Sequence, residues 1–177
     1  MTTPYIDPEI IHTPATGTAP PASWGGVVRD NLEFLARIPG CVVDRSATMN
    51  LPNGAGTWTS VPFTAADLRD TDNYHSTTTD PEKIIIPSGL GGWYELGIYA
   101  SIQQSTSGHR ASRAIINGSS TIFLERNTGA SGGNHLICSQ RPALLNAGDS
   151  VEFQIAQNSG VTLTLNLAQA WVRFLHL

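Results

Sequence analysis

Residues 40–177 alternate between apolar and polar positions in short runs, which is the pattern of half-buried β-strands. The clearest run is 93–103, where the even positions from Tyr94 to Ile102 are apolar and therefore face one side of a sheet. Turn residues separate the runs, and Asn117-Gly118 is a strong signal for a two-residue hairpin. About eight to ten such strands, with no convincing internal helix, predict an all-β sandwich or jelly roll over 40–177.

The last run changes phase partway along its length. Leucines at the odd positions 163–167 lie on one side of an extended strand, whereas the apolar residues at even positions 168–174 lie on the other. A β-bulge near Ala168–Ala170 explains the change. A strand buried on both faces, one of them against a partner subunit, explains it equally well.

Two segments precede this domain. Residues 1–22 contain five prolines, which disfavour helices and central strands, so we predict an extended arm or a tail that orders only in a complex. Residues 23–39 carry apolar positions at helical spacing and end in Pro39-Gly40, which predicts a short amphipathic helix. Its apolar stripe must pack on the domain or, as we favour, on copies of itself. The apolar residues expected to anchor the protein on its neighbours are Tyr5, Ile6, Ile10, Ile11, Trp24, Val28, Leu32 and Leu35.

Residues 40–177 contain four short motifs in a fixed order: Phe63 with Asp70–His75, Ile85–Pro87 with Gly92–Tyr94, Arg113–Gly118, and Leu145–Val151. In sequence and order they resemble the jelly roll shared by tumour necrosis factor and the globular heads of complement component Q. The resemblance covers about three quarters of the chain. It implies a homotrimer in which three jelly rolls pack around a threefold axis through an apolar face.

The helix segment carries a second resemblance. Trp24, followed by Val28–Leu35, Pro39 and Cys41, is similar to a short segment common in virion proteins of phages that infect actinobacteria. There the segment often precedes a jelly roll of this kind. The resemblance implies a phage virion protein, either a capsid decoration protein or a minor tail protein.

A physical argument independent of both resemblances also favours a trimer. The residues Trp93, Tyr99 and Trp171 add large apolar area away from the predicted core. Burial of apolar surface is worth roughly 25 cal/mol per Å², so a shared interface is favoured over solvent exposure. The residues expected in the trimer interface or the core are Trp93, Tyr94, Tyr99, Trp171 and Phe174.

Composition and charge exclude several other partners. The chain has 10 basic and 14 acidic residues, a net charge of −4, which argues against nucleic acid as the main partner. It has no apolar run of about 18 residues, so we expect no membrane span. The N-terminus lacks a basic region followed by an apolar stretch, so we expect no secretory signal.

Candidate catalytic and metal sites are weak, and we expect no enzyme activity. Gly129–Gly133 matches G-x-S-x-G, but that motif works on a strand-to-helix turn, and here it lies in a loop between strands. His75, His109 and His135 lack metal-ligand spacing and are expected in exposed loops. The acidic residues of 67–80 favour turn formation over a calcium site, so no cofactor is predicted.

Two polar, Gly/Ser-rich loops are candidates for recognition, with a host surface glycan as the conceivable ligand. They contain no aromatic residues, so solvated loops without a ligand explain them at least as well. Free thiols at Cys41 and Cys138 are favoured over one disulfide. The loop residues singled out are Gln104, His109, Arg110, Ser131 and Asn134.

Together these observations predict a non-enzymatic phage virion protein that is made in the host cytoplasm and located on the particle exterior. Its arm and helix contact other virion proteins, and its jelly roll forms the trimer. Capsid decoration is the favoured role, because a 22-residue arm suits a clamp better than a shaft. The alternative is a minor tail or fibre-tip protein that binds the host cell surface.

Overall fold

The computed structural model describes residues 26, 28, 29, 32, 33, 37–130 and 134–176. Over these residues the chain forms two antiparallel sheets that pack face to face, which confirms the predicted all-β jelly roll. The strands are β1 Gly40–Arg45, β2 Met49–Leu51, β3 Trp58–Ser60, β4 Arg69–Asp70, β5 Lys83–Ile85, β6 Gly92–Ile102, β7 Ser105–Ile116, β8 Ser120–Ala130, β9 His135–Leu145, β10 Ser150–Gln157 and β11 Leu163–His176.

The strand order shows how the chain crosses between the sheets. The six-stranded sheet has the order β4-β1-β11-β6-β9, and β2 also pairs with β11. The five-stranded sheet has the order β3-β10-β7-β8, and β5 also pairs with β10. Strands β8 and β9 are therefore the edges of different sheets and lie at the same side of the sandwich.

The core lies between the sheets and follows the predicted alternation. The even positions of β6, from Tyr94 to Ile102, are completely buried, as are Phe153 and Ile155 of β10 on the facing sheet. The ring of Phe63 meets that of Phe153 edge-on, with 6.4 Å between centroids. Full burial of one such side chain is worth about 1.5–3 kcal/mol, so this layer supplies the main driving force for folding.

The phase change in the last strand comes from a bulge, but not at the predicted position. The register of β11 against β6 shifts between Leu165 and Leu167, ahead of Ala168–Ala170. Leu165 and Ala168 are both fully buried, and two inward side chains three residues apart require one extra residue between them. Leu167 turns outward as a result and is 37% exposed.

Five described residues of the predicted helix, at 26, 28, 29, 32 and 33, are helical. Arg29 and Glu33 form an ion pair at i,i+4 spacing, with 3.7 Å between Nε and Oε1. Val28 and Leu32 are 36% and 60% exposed. The anchoring residues Tyr5, Ile6, Ile10, Ile11, Trp24 and Leu35 lie outside the described residues.

The Asn117-Gly118 hairpin forms as predicted, and both residues have positive φ, of 52° and 67°. The Asn117 side chain donates to Asp149 Oδ1 at 2.8 Å and accepts from the Ser150 amide at 2.9 Å. The other carboxylate oxygen, Oδ2, accepts from the Asn146 amide at 2.7 Å. One aspartate therefore joins two turns at the same end of the sandwich.

We expect Asp149→Asn to lower the free energy of unfolding by about 1 kcal/mol at pH 7. Hydrogen bonds from Asn117 and the Asn146 amide hold the pKa of Asp149 below its ordinary value. The stabilisation is therefore present above that ordinary value and is lost as the pH falls through the folded-state pKa. Urea unfolding at pH 7 and pH 3 measures this, with Asp72→Asn as the control. An equal acid loss in wild type and Asp149→Asn would contradict the prediction.

Candidate interaction face

The six-stranded sheet has one face on the core and one turned outward, and we call the second the outer face. Directly opposed residues of an antiparallel pair share a face, so the strand registers define which side chains it contains. Its residues are Leu136, Cys138, Gln140, Pro142 and Leu144 of β9, Trp93, Glu95, Gly97, Tyr99 and Ser101 of β6, Leu167, Gln169, Trp171 and Arg173 of β11, and Val42 and Asp44 of β1.

Both ends of the outer face are apolar and exposed. Leu136 and Leu167 lie at one end and are 53% and 37% exposed. Leu144 and Trp93 are direct partners at the other end, with 61% and 39% exposure. Apolar surface grouped in this way on a charge-poor protein is a mark of an interaction site.

The middle of the outer face is built around one aromatic ring and one glycine. Trp171 lies opposite Gly97, and a Cβ placed on that glycine would be only 2.1 Å from the indole ring. The indole nitrogen donates to Glu95 Oε1 at 3.2 Å, and Arg173 Nη2 donates to the same oxygen at 2.9 Å. The Glu95 carboxylate is thus neutralised within the chain, which lowers the cost of covering this part of the face in a complex. Asp44, the other carboxylate of the outer face, lies half-buried on β1 opposite Gln169.

A cavity of about 400 Å³ crosses the middle of this face, and we call it the trough. Trp171 forms one wall, and the amides of Gln140 and Gln169 line it without a hydrogen-bond partner in the described part of the chain. The volume falls within the range of pockets that hold small ligands or short peptide segments. The lining residues are Gly40, Cys41, Val42, Arg69, Glu95, Gln140, Gln169, Trp171, Val172 and Arg173.

Of the five residues expected in the trimer interface or the core, three lie on the outer face and two lie in the core. Trp93, Tyr99 and Trp171 share the outer face. Tyr94 and Phe174 lie in the core, 0% and 6% exposed, with their rings edge-on at 5.3 Å. Burial raises the pKa of Tyr94 to about 12, and its hydroxyl donates to the Leu90 carbonyl.

The candidate recognition loops differ from expectation at Arg110. Gln104 and Asn134 are exposed, and Ser131 lies outside the described residues. His109 is half-buried, and its Nδ1 accepts from Arg126 Nη2 at 3.2 Å. Arg110 is completely buried, which excludes it as a ligand contact. It was predicted on an exposed tip because strand β7 begins earlier, at Ser105, than its polar sequence indicates.

The buried Arg110 holds the first residues of strand β7 in place. Its Nη1 donates to the Ser107 carbonyl at 2.7 Å and its Nη2 to the Ser105 carbonyl at 3.1 Å. Burial lowers the pKa of the guanidinium, and its Nε has no partner in the described part of the chain. The side chain therefore fixes the conformation of the first residues of β7, and this stabilisation is offset in part by the cost of burying a charge.

We expect Arg110→Lys to loosen the first residues of β7, because an ammonium group cannot reproduce the paired geometry of the guanidinium donors. Loss of one charge-assisted bond, about 1.5 kcal/mol, raises amide exchange of residues 105–109 roughly tenfold. Hydrogen exchange with peptide-level mass spectrometry measures this. Arg126→Lys, an exposed neighbour, is the control and should leave exchange unchanged. Unaltered exchange in Arg110→Lys would show that the hydrogen bonds from Arg110 to the Ser105 and Ser107 carbonyls are not needed to hold this segment.

The histidines, acidic residues and cysteines have local structural partners. His75 has a buried side chain and was wrongly expected in an exposed loop; its nitrogens lie 2.9 Å from Asp67 Oδ1 and 3.0 Å from the Pro81 carbonyl. The Asp70 carboxylate accepts hydrogen bonds from the backbone amides of residues 72, 74 and 75, and this pattern stabilises a turn.

No group of three or more potential metal ligands occurs among the described residues. Cys41 is buried and Cys138 exposed, both as free thiols.

No protein-family model matches the chain, and no curated protein matches it in sequence. The described part of the chain contains no helix with the length and apolar character needed to cross a membrane.

Solved structures share the fold. The globular domain of zebrafish complement 1qA protein superposes with a TM-score of 0.55 at 18% identity, covering 77% of this chain and 96% of that one. PRD1 vertex protein P5 gives a TM-score of 0.55 at 15% identity, with 77% and 96% coverage. Murine APRIL gives 0.52 at 12% identity, with 76% and 99% coverage. The resemblance predicted from the motifs is confirmed at the level of the fold.

Proposed function

We propose that the protein is a non-enzymatic structural protein of a phage particle and that it works as a homotrimer assembled through the outer face. The observation that carries this proposal is the outer face itself, apolar and exposed at both ends, with its central carboxylate neutralised by Arg173 and Trp171. Such a surface gains free energy when it is covered and loses little through desolvation of charge.

Three copies fit this face better than two. In a cyclic trimer, one patch of a subunit meets a different patch of the next subunit, which is called a heterologous contact. The two apolar ends of the outer face, one at Leu136 and one at Leu144, can serve as these two patches. The resemblance to the tumour necrosis factor and complement superfamily implies the same threefold arrangement. The exposed apolar residues Val28 and Leu32 of the helix extend the apolar area that three copies can share.

We assign the trimer to the particle exterior, as a protein that decorates and stabilises the capsid. The fold likeness to PRD1 vertex protein P5 supports a virion role, and the N-terminal arm, residues 1–22, is long enough to reach a neighbouring subunit or another virion protein. A structural role also agrees with the surroundings of His75. One ring nitrogen lies against Asp67 Oδ1 and the other against the Pro81 carbonyl, so both are engaged within the chain.

A minor tail or fibre-tip protein is the second candidate. The helix segment's resemblance to phage virion proteins favours it, as does the polar loop end of the sandwich, where Gln104 and Asn134 are exposed. In that role the loops would contact the host surface, with a glycan as the conceivable ligand.

Light scattering on the full-length protein tests the trimer, and immuno-labelled electron micrographs of the particle test its placement. We expect a mass of three times 18.9 kDa, about 57 kDa. Label over the capsid surface supports decoration, and label at the tail tip supports the second candidate. A monomer in solution would overturn the trimer, and particles that lack the label would overturn the virion role.

A further inference from the structure

We propose that the trough on the outer face binds the N-terminal arm, residues 1–22, of a neighbouring subunit. This inference rests on the trimer proposed above and identifies the partner of its central cavity. It accounts for three observations: where the chain enters the domain, what lines the trough, and how charge is distributed between trough and arm.

The chain enters the domain at the rim of the trough. Gly40 is both the first residue of β1 and part of the trough lining. Three bonds hold this point: the Phe174 amide donates to the Pro39 carbonyl at 3.0 Å, the Gly40 amide donates to Thr71 Oγ1 at 3.0 Å, and Arg69 donates to the Ile38 carbonyl. The segment that precedes residue 37 is therefore joined to the domain beside the cavity.

The length of the preceding chain favours a neighbour's trough. The helix that the sequence predicts over residues 23–39 would span up to about 25 Å at 1.5 Å per residue, so the arm that precedes it can begin well away from its own rim. An extended 22-residue arm then reaches about 70 Å, more than enough to cross an adjacent subunit.

The trough lining matches an extended, proline-rich segment. Prolines favour the polyproline conformation, in which carbonyl groups point outward without internal partners. Aromatic grooves bind such segments, and Trp171 supplies an indole wall. The unpartnered amides of Gln140 and Gln169 can donate to the carbonyls of the arm and accept from its amides.

Charge complements this match. The first 28 residues contain Asp7 and Glu9 and no lysine or arginine. Of the charged residues that line the trough, Arg173 and Glu95 form an ion pair, and Arg69 donates to the Ile38 carbonyl. Asp7 or Glu9 of an arm can therefore pair with the Arg69 guanidinium in this cavity.

Photo-crosslinking on the full-length protein tests the inference. With Tyr5 replaced by a benzophenone amino acid, irradiation should give covalent dimers and trimers on denaturing gels. Mass spectrometry should place the crosslinks on β1, β9 or β11. Crosslinks within one chain only, crosslinks on the five-stranded sheet, or no crosslink at all would overturn the inference.

Matched variants separate this result from the proposed trimer. Arg69→Glu combined with Gln169→Glu should reduce crosslinked dimer several-fold, because both changes repel Asp7 and Glu9. Gln154→Glu, on the five-stranded sheet, should leave the yield unchanged. Light scattering on the same samples identifies which proposal fails: trimers without trough crosslinks refute the arm site only, whereas monomers refute the trimer.

Discussion

Replacement of Leu136 and Leu144 together by glutamate should convert the trimer into monomers. The mass from light scattering should fall from about 57 kDa, three times 18.9 kDa, to 18.9 kDa at micromolar concentration. Both leucines lie on edge strand β9, more than half exposed, at opposite ends of the outer face.

The size of this effect follows from the free energy of apolar burial. Full burial of an exposed leucine is worth about 1.5–3 kcal/mol, and a little over half of each of these two side chains is still exposed, so each subunit contact loses about 1.7–3.4 kcal/mol. At 1.4 kcal/mol per tenfold, the contact weakens roughly tenfold to several-hundredfold, before the cost of burying a carboxylate is added. The core is untouched, so the monomers should keep the circular dichroism spectrum of the wild type.

Ile85→Glu provides the matched control. Ile85 is 41% exposed on β5, which pairs within the five-stranded sheet and not the outer face. The same change in size and charge at this position should leave the trimer intact. If the Leu136 and Leu144 double variant remains a trimer, or if Ile85→Glu dissociates it, the outer face is not the interface.

The alternation of apolar and polar residues was enough to predict which side chains of the long strands face the core. Strand β6 is long and alternates without interruption, so the sequence predicted which of its side chains enter the core. The same rule placed Trp93 and Tyr99 on the opposite side. The fold followed from ordered motifs, each tied to a local turn or strand.

The residues that the sequence missed depend on contacts between distant segments. Leu136 and Leu144 became candidates only once β9 was known to be an edge strand beside β6, because the strand carries apolar residues on both faces. His75 looked like a loop residue because its partners, Asp67 and Pro81, lie in separate turns. The trough itself joins five strands and has no local signature.

Gly97→Ala should lower the free energy of unfolding by about 2–3 kcal/mol. The direction is unusual, because within a strand alanine is normally more stabilising than glycine, by roughly 0.5–1 kcal/mol. The new Cβ would lie 2.1 Å from Cε2 and Cζ2 of Trp171, so the indole must leave its position. Its hydrogen bond to Glu95 is then lost. Guanidinium unfolding at pH 7 measures the change. Gly91→Ala, where the nearest atom is 3.4 Å away, is the control and should cost little.

A double-variant cycle shows whether the indole is the cause. In the Trp171→Ala background the extra methyl meets no ring, so Gly97→Ala should become neutral or stabilising, with a coupling energy of about 2 kcal/mol or more. An undiminished cost in that background would mean that the backbone, not the ring, requires glycine. A displaced indole no longer forms the wall of the trough, so Gly97→Ala should reduce the Tyr5 crosslink while the leucines at both ends still hold the proposed trimer. The Gly97→Ala variant would then lose arm binding but keep the trimer. The two proposed roles of the outer face, arm binding and trimer assembly, can therefore be measured independently.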